Sequence, residues 1–209
     1  MDWSQIFLAS ALVVYLGAFV VILVAVRFSA GVNPKGHVGG HRLAAWLNGV
    51  ATFFLLLTAI VYVLDARSVG RFGRIPLLDS LGLQGLGVVA ILLSGLCLIW
   101  GEASLGRSFR VALPDSKQPL VIHGVYRFTR NPLALSVDLL ALGVLLLAPS
   151  WLALVSLVLN VVSYEWKVLI EESYLREMHG ADYDAYCGRT GRYLPRLSRC
   201  KRIHHGGKS

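Results

Sequence analysis

"LALSVDLLALGVLLLAPSWLALVSLVLNVVSYEWKVLI", residues Leu133 to Ile170, decides the fold. It contains two apolar runs, Leu133–Ala148 and Trp151–Ile170, parted only by Pro149-Ser150. That pattern predicts a tight helical hairpin with Trp151 as an interface anchor at its tip. Three uncharged runs precede it: Ile6–Val26, Leu43–Leu64 and Leu81–Trp100. Each run is about 20 residues, enough to cross a hydrocarbon core of roughly 30 Å. Only 15% of the 209 residues are charged, against about 25% in a soluble domain. The expectation is an all-α integral membrane bundle of about five transmembrane helices. It has a C-terminal hairpin and a helical extension, "KVLIEESYLREMHG", beyond the bilayer.

The first run follows Asp2 rather than a basic stretch and is long for a signal peptide, so a retained helix is expected. Basic residues orient the bundle. Arg27, Lys35 and Arg42 precede the second helix, and Arg67, Arg71 and Arg74 follow it. The third loop carries Arg107, Arg110, Lys117, Arg127 and Arg130, the hairpin tip none, and the stretch from Lys167 to Lys208 nine. Five crossings put the two richest segments on one side. That side is expected to be cytoplasmic, with the N-terminus outside, in a membrane such as the bacterial inner membrane. The arginines of the second loop fit this orientation least well.

The net charge of +8 needs no nucleic acid, because basic residues beside membrane helices bind anionic lipid headgroups. Cys97, Cys187 and Cys200 read as reduced thiols without metal-ligand spacing, and His204-His205 as part of a disordered tail. Three regions follow: a transmembrane scaffold over 1–101, a core over 102–195, and a basic tail over 196–209. Glycines 82, 85, 87, 95 and 101 would allow close helix packing.

Candidate chemistry lies at the hairpin's open end. "HGVYRFTRNPLALS", His123–Ser136, crowds polar groups before a greasy helix. Asn131 followed by Pro132 reads as an N-cap and first helical residue. The plain reading is a cap with Arg127 and Arg130 reaching to lipid phosphate. The sharper one is an anion site, since a helix start offers free N–H groups and partial positive charge. Glu171-Glu172 reads either as two helical ion pairs, with Lys167 and Arg176 four residues to either side, or as a cation site. Asn131 lies 18 residues before Pro149, and Glu171 lies 20 after Trp151. At about 1.5 Å per residue both sit roughly 27–30 Å from the tip, so the two charged regions share one depth. Asp138, deeper in the hairpin, is expected to hydrogen-bond Asn160 or Ser163, with a catalytic role as the second reading. Glu165 reads similarly.

"LGRSFRV", "QPLVIHGVYRFTRNP", the Pro149-Ser150 hairpin and "EESYLREMHGADYDAYCGRTGRYLP" together resemble the isoprenylcysteine carboxyl methyltransferase and phospholipid methyltransferase superfamily, in its bacterial branch. The resemblance runs from about Leu105 to Pro195. It implies a membrane methyltransferase using S-adenosyl-L-methionine at the cytoplasmic face on a lipophilic or small-molecule acceptor. It implies cofactor contacts at Gly124, Tyr126, Arg127, Arg130, Asn131, Pro132, Leu133, Glu171 and Glu172. Tyr183, Tyr186 and Arg192 would close the site or meet the acceptor. The family's Arg-His-Pro-x-Tyr-x-Gly stretch is met here by Arg130 and Pro132, with Asn131, Ala134 and Ser136 at the other positions. A nicotinamide-dependent membrane reductase of related fold and a non-catalytic homologue are the alternative readings.

Overall fold

A computed structural model describes residues 2–29, 41–105 and 120–195, and helices account for nearly all regular structure there. The helices are α1 (Trp3–Ser29), α2 (His41–Leu64), α3 (Leu81–Leu105), α4 (Pro132–Leu147), α5 (Trp151–His179) and α6 (Ala181–Arg189). Short 3-10 segments lie at Ala66–Phe72, Pro76–Leu78 and Gly124–Arg127. Lys35, "LGRSFRV" beyond Leu105, Lys117 and the basic tail over 196–209, with Cys200 and His204-His205, lie outside the described residues.

Side-chain distribution shows why these helices form a membrane bundle. Large apolar residues point outward: Val13, Phe53, Leu86, Leu96, Ile99 and Val158 are all exposed. Small and polar ones are buried instead, with Ser94, Ser136, Ser156, Asn160 and Ser163 fully enclosed. Water would penalise that pattern; lipid favours it, because interhelical contact there runs through small residues and hydrogen bonds. Ser156 Oγ donates to the Ala51 carbonyl at 3.1 Å, and Ser163 Oγ to Asn48 Oδ1, joining α5 to α2. Ser94 Oγ donates to the Ser136 carbonyl at 2.5 Å, joining α3 to α4.

Among the described residues three helices are long and apolar enough to cross a membrane: Trp46–Leu64 in α2, α3, and α5. The apolar segment Trp3–Gly17 of α1 and the whole of α4 are shorter. At 16 residues α4 spans only about 24 Å. α5, with 29 residues, spans about 43 Å, longer than a hydrocarbon core of roughly 30 Å requires. It ends at Gly180, which takes φ 52°.

α4 packs most extensively on α3, and α5 on α2. Gly87 and Gly143 face each other at the first of these crossings. A Cβ on Gly87 would lie 3.1 Å from the Gly143 carbonyl oxygen, and one on Gly143 2.9 Å from that of Gly87. Of the glycines expected to mediate packing, Gly87 and Gly101 do so; Gly82, Gly85 and Gly95 meet nothing within 4 Å.

The hairpin turn is braced by the α2–α3 loop. Ile75 N donates to the Pro149 carbonyl at 3.1 Å and Trp151 N to that of Gly73 at 3.0 Å. Ser150 caps α5 by accepting from Ala153 N at 3.2 Å.

Candidate active site

The open end of the hairpin is assembled by three pieces of chain. The first is the 3-10 turn Gly124–Arg127, seated on the end of α3. Gly124 has φ 60°, a conformation that glycine adopts without steric cost, and its α-carbon lies against Ser104. Ser104 Oγ accepts from Val125 N at 3.2 Å. The second piece is the C-terminal half of α5. The third is the segment Thr190–Tyr193 after α6, which returns beside residues 129–131. Arg130 N donates to the Gly191 carbonyl at 3.0 Å, Asn131 N to that of Arg192 at 3.2 Å, and Thr129 Oγ1 to the same oxygen at 3.0 Å.

Glu172 sits where the three meet and is buried, 5% exposed. Its Oε1 lies 3.0 Å from Arg130 Nη2 and accepts from Asn131 Nδ2 at 3.3 Å. Arg192 grips both oxygens, Nε to Oε1 at 3.2 Å and Nη2 to Oε2 at 2.9 Å. Its remaining nitrogen, Nη1, reaches Glu165 Oε1 at 2.6 Å, and Tyr193 Oη donates to Glu165 Oε2 at 2.5 Å. Two guanidinium groups and two carboxylates thus form one network. Bidentate arginine–carboxylate contact of this kind fixes geometry as well as charge.

Several expectations are corrected here. Asn131 occupies the N-cap position of α4, but its side chain makes no capping bond; its amide is turned to Glu172 and the Arg192 carbonyl. Glu172 does not pair with Arg176, which instead meets Asp184 at 3.0 Å. Lys167 does pair with Glu171, at 3.7 Å. Adjacent residues on a helix differ by about 100°, so Glu171 and Glu172 diverge, one toward solvent and one into the cluster. Asp138 does not bond Asn160 or Ser163: its Oδ1 is buried without a hydrogen-bond partner, and Asn160 Nδ2 goes to the Ser156 carbonyl at 2.9 Å.

The remaining predicted residues divide by position. Pro132 is buried and Leu133 half-buried at the start of α4, both against Gly101. Arg127 is exposed, away from Glu172, though its carbonyl accepts from Thr190 Oγ1 at 3.4 Å. Tyr126, Tyr183 and Tyr186 are buried; Tyr186 Oη donates to the Tyr126 carbonyl at 2.7 Å, tying α6 to the turn. Burial pushes all three phenols above their ordinary range, so they are neutral hydroxyls at neutral pH. The Glu172 carboxylate bonded to Arg192 pushes that guanidinium further up. Thr129, Thr190 and Tyr193 were missed by sequence reasoning, and Glu165 was not joined to the site. Glu165 had a signal: it precedes Glu172 by seven residues, two helical turns, and so shares its face.

Arg130 keeps one donor in reserve. Its Nη1 reaches the carbonyls of Cys187 and Thr190 at 3.5 and 3.4 Å, while Nε is buried without a hydrogen-bond partner. The cluster therefore holds an unspent but enclosed guanidinium N–H beside a helix start, with carboxylates close by. Such a donor set suits an amino-acid headgroup.

A membrane-type helical bundle with a charged cluster at one end of a helical hairpin is the class that these observations define. Residues 83–182 match the family model for phospholipid methyltransferase. The match covers just under half of the chain and is a likeness to the isoprenylcysteine carboxyl methyltransferase and phospholipid methyltransferase superfamily, in line with the resemblance read from the sequence. Arg130, Asn131, Glu165 and Glu172 fall within the match, and Arg192 beyond it. None of the curated proteins matches the chain.

Proposed function

We propose that the chain is an S-adenosyl-L-methionine-dependent methyltransferase acting on a lipophilic or small-molecule acceptor at the membrane face bearing Glu172. One observation carries the reading: the buried Arg130–Glu172–Arg192 network at the shared end of α4 and α5, with Arg130 Nε unspent. Arg130 would hold the donor's carboxylate. Its ammonium would meet Glu172, inside the cluster, or Glu171, which is half-buried, turned the other way and tied to Lys167. Bound there, the donor supplies an electrophilic methyl group on a sulfonium.

The rest is positioning. Methyl transfer forms one bond from the acceptor's lone pair to the methyl carbon while the carbon–sulfur bond breaks toward sulfur, so alignment can supply most of the rate. Arg192 holds Glu172 and Glu165 in register. Tyr183 and Tyr186, buried neutral phenols of which Tyr186 is already bonded to the Tyr126 carbonyl, would close the site and are not bases at neutral pH. Exposed Trp100, Phe128 and Ile122 beside the turn offer an apolar approach for an acceptor arriving from lipid. The basic tail supports this face as the cytoplasmic one.

Calorimetric titration of purified protein with S-adenosyl-L-methionine should show saturable binding that Arg130→Gln weakens at least tenfold. Radiolabelled methyl donor with total membrane lipid should then label an organic-extractable product. A melting temperature raised by NADPH and not by S-adenosyl-L-methionine would overturn the assignment.

A further inference from the structure

A cavity lies at the end of the bundle opposite the Glu172 cluster. It encloses about 410 Å³ between the start of α1, the α2–α3 loop and the hairpin turn, within the range of small-molecule sites. The length of α4 separates it from the Glu172 cluster by about 24 Å. Ser4 and Tyr62 line it; their hydroxyls are hydrogen-bonded at 2.8 Å, and both residues are buried. Arg67, Arg74, Asp2 and Asp79 supply charge around it, and Arg74 pairs with Asp79.

Two independent features point to its occupant. The first is the set of residues at its rim. Trp3, which lines it, and Trp151, at the neighbouring tip, are exposed, and Leu77 of the adjoining loop and Leu81 at the start of α3 are 90% and 80% exposed. Tryptophan beside water-facing apolar residues marks a membrane interface. Second, the loop's arginines are the part of the charge pattern that membrane orientation leaves unexplained. A ligand accounts for two of them, Arg67 and Arg74.

The charges lining the cavity also select among lipids. Two arginines and two aspartates balance, so an anionic headgroup alone would face two carboxylates. We propose that this cavity binds the headgroup of a zwitterionic aminophospholipid, its phosphodiester against Arg67 and Arg74 and its primary ammonium against Asp2 and Asp79. The site lies apart from the methyl-transfer site and rests on its own residues.

Native mass spectrometry of the detergent-purified full chain, with phosphatidylethanolamine, phosphatidylglycerol or phosphatidylcholine added, tests it. Phosphatidylethanolamine should be retained at least tenfold better than the other two. The Arg67→Gln/Arg74→Gln double variant should lose that preference. So should Gly70→Leu, which lines the cavity and whose added Cβ meets nothing within 4 Å. Both variants should still bind S-adenosyl-L-methionine, and Arg130→Gln should keep the lipid, so the two sites are read separately. Equal retention of all three lipids, or undiminished retention in both cavity variants, would overturn the proposal. Displacement of the lipid by equimolar glycerophosphoethanolamine would reassign the cavity to a soluble ligand and overturn it too.

Discussion

Arg192 lays its guanidinium along Glu172 in a two-pronged contact, Nε to Oε1 at 3.2 Å and Nη2 to Oε2 at 2.9 Å, although 20 residues of chain separate them. Lysine cannot reproduce that fork, because its ammonium is a single point of charge. Arg192→Lys should therefore keep the charge yet weaken methyl-donor binding about tenfold, with Arg192→Ala weaker still. Calorimetric titration of the two variants checks the order. Equal affinity in Arg192→Lys and the unaltered chain would mean that the fork is not needed.

Neighbouring glutamates should behave unequally. Glu171→Gln removes a half-exposed helical pair and should change stability by less than about 0.5 kcal/mol. Glu172→Gln leaves buried Arg130 without its carboxylate. The cost should be about 3 kcal/mol, the low end for a broken buried pair, because Arg192 is partly exposed. Denaturation in mild detergent compares them directly. Similar losses in both variants would contradict the divergent orientation of the two side chains.

Close approach of α3 and α4 depends on the absence of side chains at Gly87 and Gly143. Gly143→Val would drive methyl groups into Ile91 and the Gly87 backbone, and should destabilise the bundle by about 1–3 kcal/mol. Gly95→Ala, which meets nothing within 4 Å, is the control and should leave the melting temperature unchanged.

Stability should fall at alkaline pH. Burial raises the phenols of Tyr126, Tyr183 and Tyr186 above their ordinary value near 10. Their protonated form is held more tightly folded than unfolded. That contribution is fully present below about pH 10 and is lost as pH rises toward the folded values. Melting temperature measured across the alkaline range should decline, and Tyr183→Phe should make the decline shallower. An unchanged slope in that variant would remove Tyr183 as a contributor.

Helix existence and the depth of the charged groups were readable from the chain alone. Hydropathy is a local property, and a break as short as Pro149-Ser150 leaves two runs no choice but to fold back, so Asn131 and Glu172 had to share a level. Partner choice was not readable. It depends on which face of α5 turns inward and on where Thr190–Tyr193 returns, and both are set by contacts between distant segments. Tertiary structure therefore gave Glu172 to Arg130 and Arg192 rather than to Arg176, turned the Asn131 amide away from its own helix, and set Gly87 against Gly143, a residue that no spacing rule had singled out.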